Sequence, residues 1–155
     1  TKDLSIEGKN KSVKMYETLL DYIKNLENTS VNLLFDRTFF TEEVYCRLGL
    51  KEYSFTDEYN KLLDRLSKMD FDIYYIALYL RNEDDYIKRL DRPGKASFKN
   101  AEFNKENSVK QQNEYLKLAD EIKTKYPSIN VLKIDNSRKE DLVKKEILDI
   151  LDWKD

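Results

Sequence analysis

Val31-Asn32-Leu33-Leu34-Phe35-Asp36-Arg37, followed by Thr38-Phe39-Phe40-Thr41-Glu42-Glu43-Val44-Tyr45, is the stretch on which the reading of the whole chain turns. A short apolar run ends abruptly in an acid and a base. Continuous aliphatics followed by charge mark a buried parallel strand where it leaves the sheet. In open α/β sheets, ligands bind just beyond the carboxyl ends of the strands, so Asp36 and Arg37 are expected at such a place. A carboxylate there can hold Mg²⁺ or a water, or accept a substrate proton. The guanidinium beside it is a planar fork that suits phosphate. The pair can equally cap the next helix or form a surface salt bridge, and the stretch by itself leaves these readings open.

Composition narrows the function. At 155 residues the chain is long enough for one domain, 1–155, with a real core. Hydrophobic residues make up 40% and charged residues 37%, but the apolar ones are clustered, so the chain is not a disordered one. A net charge of −2 argues against a broad basic surface for polymeric nucleic acid. The absence of histidine removes Ser-His-Asp and Cys-His catalysis and His-ligated zinc together. The single cysteine, Cys46, supports neither an internal disulfide nor a thiolate metal site. No apolar run approaches membrane-spanning length and no signal peptide is recognisable, so no membrane partner and a cytoplasmic location are expected.

Outward from the central stretch, helices and strands alternate. Thr1–Lys11 reads as a polar, irregular start, and a helix is expected over Ser12–Leu26, with Val13, Tyr16, Leu19, Leu20, Ile23 and Leu26 on one face. Gly8-Lys9-Asn10-Lys11-Ser12 lacks the first glycine, the contiguous Gly-Lys-Ser/Thr and the preceding strand of a phosphate loop. After the Val31 strand, a helix is expected from about Thr41 to Gly49, and another capped by Thr56 with Tyr59, Leu62, Leu63, Leu66 and Met69 buried. Phe71–Leu80 reads as a central strand. A short helix from Glu83 leads into a basic, lid-like segment, 88–106, that can also be an ordinary solvated loop. A longer helix should start at Asn107 or Ser108 and stop at Pro127, followed by a strand over Ile129–Asp135. Ser137-Arg138-Lys139-Glu140 has the capping-box pattern for a last helix burying Leu142, Val143, Ile147, Ile150 and Leu151.

Asp36-Arg37, then Thr41, Val44 and Tyr45, resembles the Asp-Arg-Tyr, Ser, Ala-Tyr run of thymidylate kinases and related P-loop nucleoside and nucleotide kinases. The order of elements from about Val31 to Leu151 is similar as well, with lid arginines at Arg89 and Arg92, a post-lid Tyr115 and a last strand ending in Ile134-Asp135. The resemblance implies a three-layer parallel sheet with helices on both faces. It implies transfer of the ATP γ-phosphoryl group to a (deoxy)nucleoside or nucleoside monophosphate, with ATP and Mg²⁺ as cofactors. Arg37 would grip the acceptor phosphate. Asp36 would organise Mg²⁺ through water or act as base. Arg89 and Arg92 would close over the transferring group. Phe39, Phe40, Thr41, Tyr45 and Tyr115 would contact the acceptor, although each aromatic can equally be a packing residue.

The departures from the family are specific. Cys46 stands where the family usually has Gln near the base, and Thr38 replaces the usual Tyr. The Walker A strand and loop are not found in the sequence, which reads as such a kinase without its first strands, whose natural partner would be an N-terminal segment carrying them. Two other classes stay open: a non-catalytic module that binds a nucleotide or a protein, and a P-loop ATPase-type regulator. A homodimer is compatible with all three.

Overall fold

The computed structural model describes residues 4–90 and 101–153. In chain order the elements are α1 (Ile6–Asn25), α2 (Phe39–Arg47), α3 (Thr56–Ser67), β1 (Tyr74–Tyr79), α4 (Asp84–Leu90), α5 (Ala101–Lys125), β2 (Asn130–Asp135) and α6 (Glu140–Leu151). The class is mixed α/β, as expected. The sheet among the described residues is a β1–β2 pair, and it runs parallel because Ile73 O and Tyr79 O accept from Asn130 N and Asn136 N in the same register. The chain forms two compact units, one of Thr1–Ile73 with Tyr126–Asn130 and the other of Tyr74–Lys125 with Val131–Asp155.

In the first unit, α3 packs against α1 and α2. α1 starts earlier than expected and absorbs the Gly8–Ser12 stretch: Ser5 caps it, its hydroxyl accepting from Gly8 N at 3.4 Å. The buried stripe is Gly8, Ser12, Tyr16, Leu20 and Ile23. Small Gly8 and Ser12 continue that face, so hydrophobicity alone does not reveal the first turns. From α3 the core receives Tyr59, Leu62 and Leu63, and Phe55 just before it is fully buried. Gly49 ends the α2 turn at φ 71°, with Gly49 N on Cys46 O at 3.1 Å and Leu50 N on Tyr45 O at 2.9 Å. This is a Schellman closure, and the sequence places its glycine correctly.

The strand expected at Val31–Phe35 is not formed. The segment carries no strand, and Leu34 is 82% exposed. Apolar composition makes a strand only where a neighbouring backbone supplies the ladder, and none pairs with this stretch among the described residues. Two further local signals are redirected. Thr56 does not cap α3; its Oγ1 donates to Glu43 Oε1 at 2.9 Å instead. α2 opens at Phe39 rather than Thr41, with Thr38 at the N-cap position.

In the second unit, α5 packs against α4 and β1. Its core includes Ala77, Leu80, Leu118, Ala119, Ile122, Ile134 and Val143. The side-chain amide of Gln112 grips the backbone just past β1, accepting from Leu80 N at 2.7 Å and donating to Leu80 O at 3.2 Å. Residues 91–100, with Arg92 and most of the expected lid, lie outside the described residues. Beyond them α5 is already helical at Ala101, earlier than the expected Asn107 or Ser108, and stops before Pro127 as expected. Ala, Glu and Lys favour this start, and Lys110 pairs with Glu106 one turn back at 2.9 Å. Ser137 does not cap α6, whose N-cap is Lys139. Leu142 and Ile150, expected inside, are 54% and 39% exposed.

Candidate functional site

Asp36 and Arg37 occupy the bend between the Val31–Phe35 segment and α2, and both are exposed. Arg37 has a left-handed backbone, φ 68°. The other non-glycine residues in that region are Asn28 and Asp152, types whose short polar side chains tolerate it; arginine has no such tolerance. Neither Asp36 nor Arg37 makes a hydrogen bond or ion pair among the described residues. Thr38 takes the N-cap position, so Asp36 does not cap α2. The acid and base therefore form neither the cap nor the surface salt bridge that would make them ordinary.

Directly after them comes an aromatic cluster. Phe39 is 2% exposed, stacked on Phe40 at 4.5 Å and edge-on to Tyr16 at 6.0 Å. Its ring is committed to packing. Phe40 is half-buried, with Tyr59 edge-on to its ring at 6.0 Å. Thr41 is buried in the first turn of α2, and Tyr45 is half-buried one turn later. Asp36, Arg37, Phe39, Phe40, Thr41 and Tyr45 thus lie together on one bend and one short helix of the first unit.

Beneath this bend lies a polar cluster that the sequence reading missed. Glu42 and Glu43 are 4% and 0% exposed. Arg47 Nε and Thr56 Oγ1 both meet Glu43 Oε1, at 2.8 and 2.9 Å, while Oε2 is buried without a hydrogen-bond partner among the described residues. Glu42 accepts from the Tyr53 hydroxyl and has Lys51 Nζ at 3.4 Å. Burial, reinforced by the Glu42 and Glu43 carboxylates, pushes the Cys46 thiol up to about 12. The one local signal for this cluster was Glu43–Arg47 at i,i+4; Tyr53 and Thr56 are brought in only by the turn through Gly49.

In the second unit Arg89 joins Arg81, Asp135 and Arg138 at the carboxyl ends of β1 and β2, while Tyr115 lies beside the start of β1. The loops after the strands are tied together: Tyr79 O accepts from Asn136 N at 2.8 Å, and Ser137 Oγ from Arg81 N at 2.8 Å. Asp135, 9% exposed, accepts from Ser137 N at 2.8 Å and pairs with Arg81 Nε at 2.8 Å. The backbone donor at Ser137 holds the Asp135 carboxyl below its ordinary value, with Arg81 and Arg138 adding to the effect. Arg138 Nε donates to Asp135 O at 3.1 Å, and its Nη2 reaches Glu146. Arg89, from α4, donates through Nη2 to Asn136 O. Tyr115, on α5, is half-buried, and its carbonyl accepts from the Tyr75 hydroxyl at 3.3 Å. Burial also raises the nearby Tyr86 phenol to about 12.

Among the described residues no three His, Cys, Asp or Glu side chains cluster as a self-sufficient metal site. Mg²⁺ asks for less, since it is commonly bound by one or two carboxylates together with substrate phosphates and waters. Exposed Asp36 fits that mode. No described helix is long and apolar enough to cross a membrane. No protein-family model, curated protein or solved structure matches this chain.

Proposed function

We propose that the chain is the acceptor-side portion of a nucleoside or nucleotide kinase, binding a (deoxy)nucleoside or its monophosphate at the Asp36–Arg37 bend. The observation that carries this reading is the backbone of Arg37, held left-handed at φ 68° with its side chain exposed and unpaired among the described residues. Holding a non-glycine residue there costs about 1–2 kcal/mol, and such outliers concentrate at ligand clamps and active sites. A planar fork presented this way suits a phosphate.

In this reading Asp36 holds Mg²⁺ through water, or takes the proton of an acceptor hydroxyl. Phe40 and Tyr45 line the base, with Phe39 supporting Phe40 by stacking. ATP is the donor, and the phosphoryl-stabilising roles of Arg89 and Arg92 are carried over from the resemblance alone. The full three-layer sheet would need further strands paired beside Val31–Phe35, where Val31, Leu34 and Phe35 are open to solvent. Calorimetric titration with a panel of nucleoside monophosphates tests the proposal. Arg37→Ala should weaken the best binder by about 1.5–3 kcal/mol, the scale of a charge-assisted hydrogen bond. Equal affinity in variant and parent would remove Arg37 from the role.

A further inference from the structure

The geometry points to an anion site in the second unit, at the carboxyl ends of β1 and β2, where Arg81, Arg89 and Arg138 take a polyphosphate chain, free or carried by a nucleotide. For Arg89 the inference rests on and extends the donor-side role proposed above; it does not depend on Arg37, which lies in the other unit.

Its basis is convergence on one turn. Arg81 reaches the Asp135 carboxylate, Arg138 the Asp135 carbonyl and Arg89 the Asn136 carbonyl, so all the guanidinium groups touch two consecutive residues. The turn is stiffened by Ser137 N on Asp135 Oδ1 and by Arg81 N on Ser137 Oγ, both at 2.8 Å. The arginines are thus pre-positioned by short contacts, which reduces the ordering needed when a ligand arrives.

The charge is not quenched. Among the described residues Asp135 and Glu146 are the carboxylates paired with this cluster, and Glu146 pairs there with Arg138. Arg89 is anchored by a neutral carbonyl, which fixes its orientation, and has no ion pair among the described residues. Arg81 is 75% exposed, with Nε 2.8 Å from Asp135 Oδ2, so its guanidinium stays open to a ligand. Parallel strand ends are where open α/β sheets take ligands, and planar forks with spare donors match phosphate oxygens bidentately. Several forks on one turn suit a chain of phosphates better than a single one.

The test titrates inorganic tripolyphosphate, and separately ATP, into the whole chain at low ionic strength. Saturable binding of both is expected, with affinity falling as sodium chloride is added. Arg81→Gln and Arg89→Gln should each weaken tripolyphosphate about tenfold, the scale of one charge-assisted contact. Arg81→Lys, which keeps the charge and loses the fork, should fall between parent and Arg81→Gln. Arg65→Gln, on α3 in the other unit, removes the same charge without belonging to the cluster and should change affinity less than about twofold. Urea midpoints confirm that each variant is folded. An absence of saturable tripolyphosphate binding overturns the site, as does binding of ATP alone. Equal weakening by Arg65→Gln also overturns it, because it reduces the effect to overall charge.

Discussion

Arg37→Gly should not destabilise this protein, although it removes a long side chain from the centre of the proposed site. Releasing an arginine from φ 68° recovers about 1–2 kcal/mol of backbone strain. Glycine returns about 0.5–1 kcal/mol of that as extra freedom in the unfolded chain. The side chain is exposed and has no hydrogen bond or ion pair among the described residues, so its removal subtracts little else. The net expectation is a gain of about 0.5–1 kcal/mol, while Arg37→Ala keeps the strain and gains nothing. Asn28→Gly is the control: Asn28 sits at φ 60°, but asparagine tolerates that region, so its replacement recovers little strain and should cost up to about 0.5–1 kcal/mol. Urea unfolding at fixed m-value measures all three variants. Destabilisation by Arg37→Gly of more than about 1 kcal/mol would refute the reasoning, since structural contacts would then hold the side chain. If the gain is found and monophosphate binding is lost, stability has been exchanged for binding at one residue.

Other outcomes follow from the buried groups. Arg47→Met leaves the fully buried Glu43 carboxylate without its cation and should cost about 3–5 kcal/mol; the double variant Arg47→Met, Glu43→Gln should recover much of it in the same urea assay. A Cys46 thiol titrating near 12 rather than 9.0 carries about a thousandfold less thiolate at pH 8. Disulfide-reagent labelling should therefore be slow in the folded protein and rise sharply in denaturant; the thiol form's contribution to stability, full below about pH 9, should fade as pH climbs towards 12. The Asp135 carboxyl is held low by Ser137 N, so its contribution is present above the ordinary carboxylate pKa of about 3.9 and fades as pH falls through the lower folded value. Asp135→Asn should flatten the acid limb of a pH–stability curve in that window.

The sequence was legible where the signal was local and the partner close by. The Schellman turn at Gly49 and the stop before Pro127 needed only nearby residues, while β1 and β2 were legible as segments although their pairing spans 57 residues. Thr56 and Ser137 had the right chemistry for caps, but each hydroxyl was claimed by a distant partner, Glu43 and Arg81, which no local pattern contains. Val31–Phe35 has strand composition, yet pairing is a property of two segments and the sequence shows one. The burial of Glu42 and Glu43 has no local signature, because it depends on Tyr53 and Thr56 arriving from beyond the turn. In the candidate site, the Asp36–Arg37 bend was found by its abrupt change from apolar to charged residues. The left-handed backbone at Arg37 has no signature in residue type, and Arg81 carries no local sign beyond standing just after the expected Phe71–Leu80 strand.

The β1–β2 pairing also bears on how the chain acquires its structure. Ile73 and Asn130, at the start of the ladder, are 57 residues apart in sequence. Parallel strands joined over such a distance form late, because the intervening loop must close before any ladder bond rewards it. The α4 and α5 segments between them can gain helix locally in far less time. Gln112 reaches Leu80 across only 32 residues and binds both its N–H and its C=O. Its amide can thus hold the end of β1 in an extended conformation before β2 arrives. A side chain in the middle of a helix then serves as a temporary stand-in for a neighbouring strand, and the order of assembly runs from helix to strand to sheet.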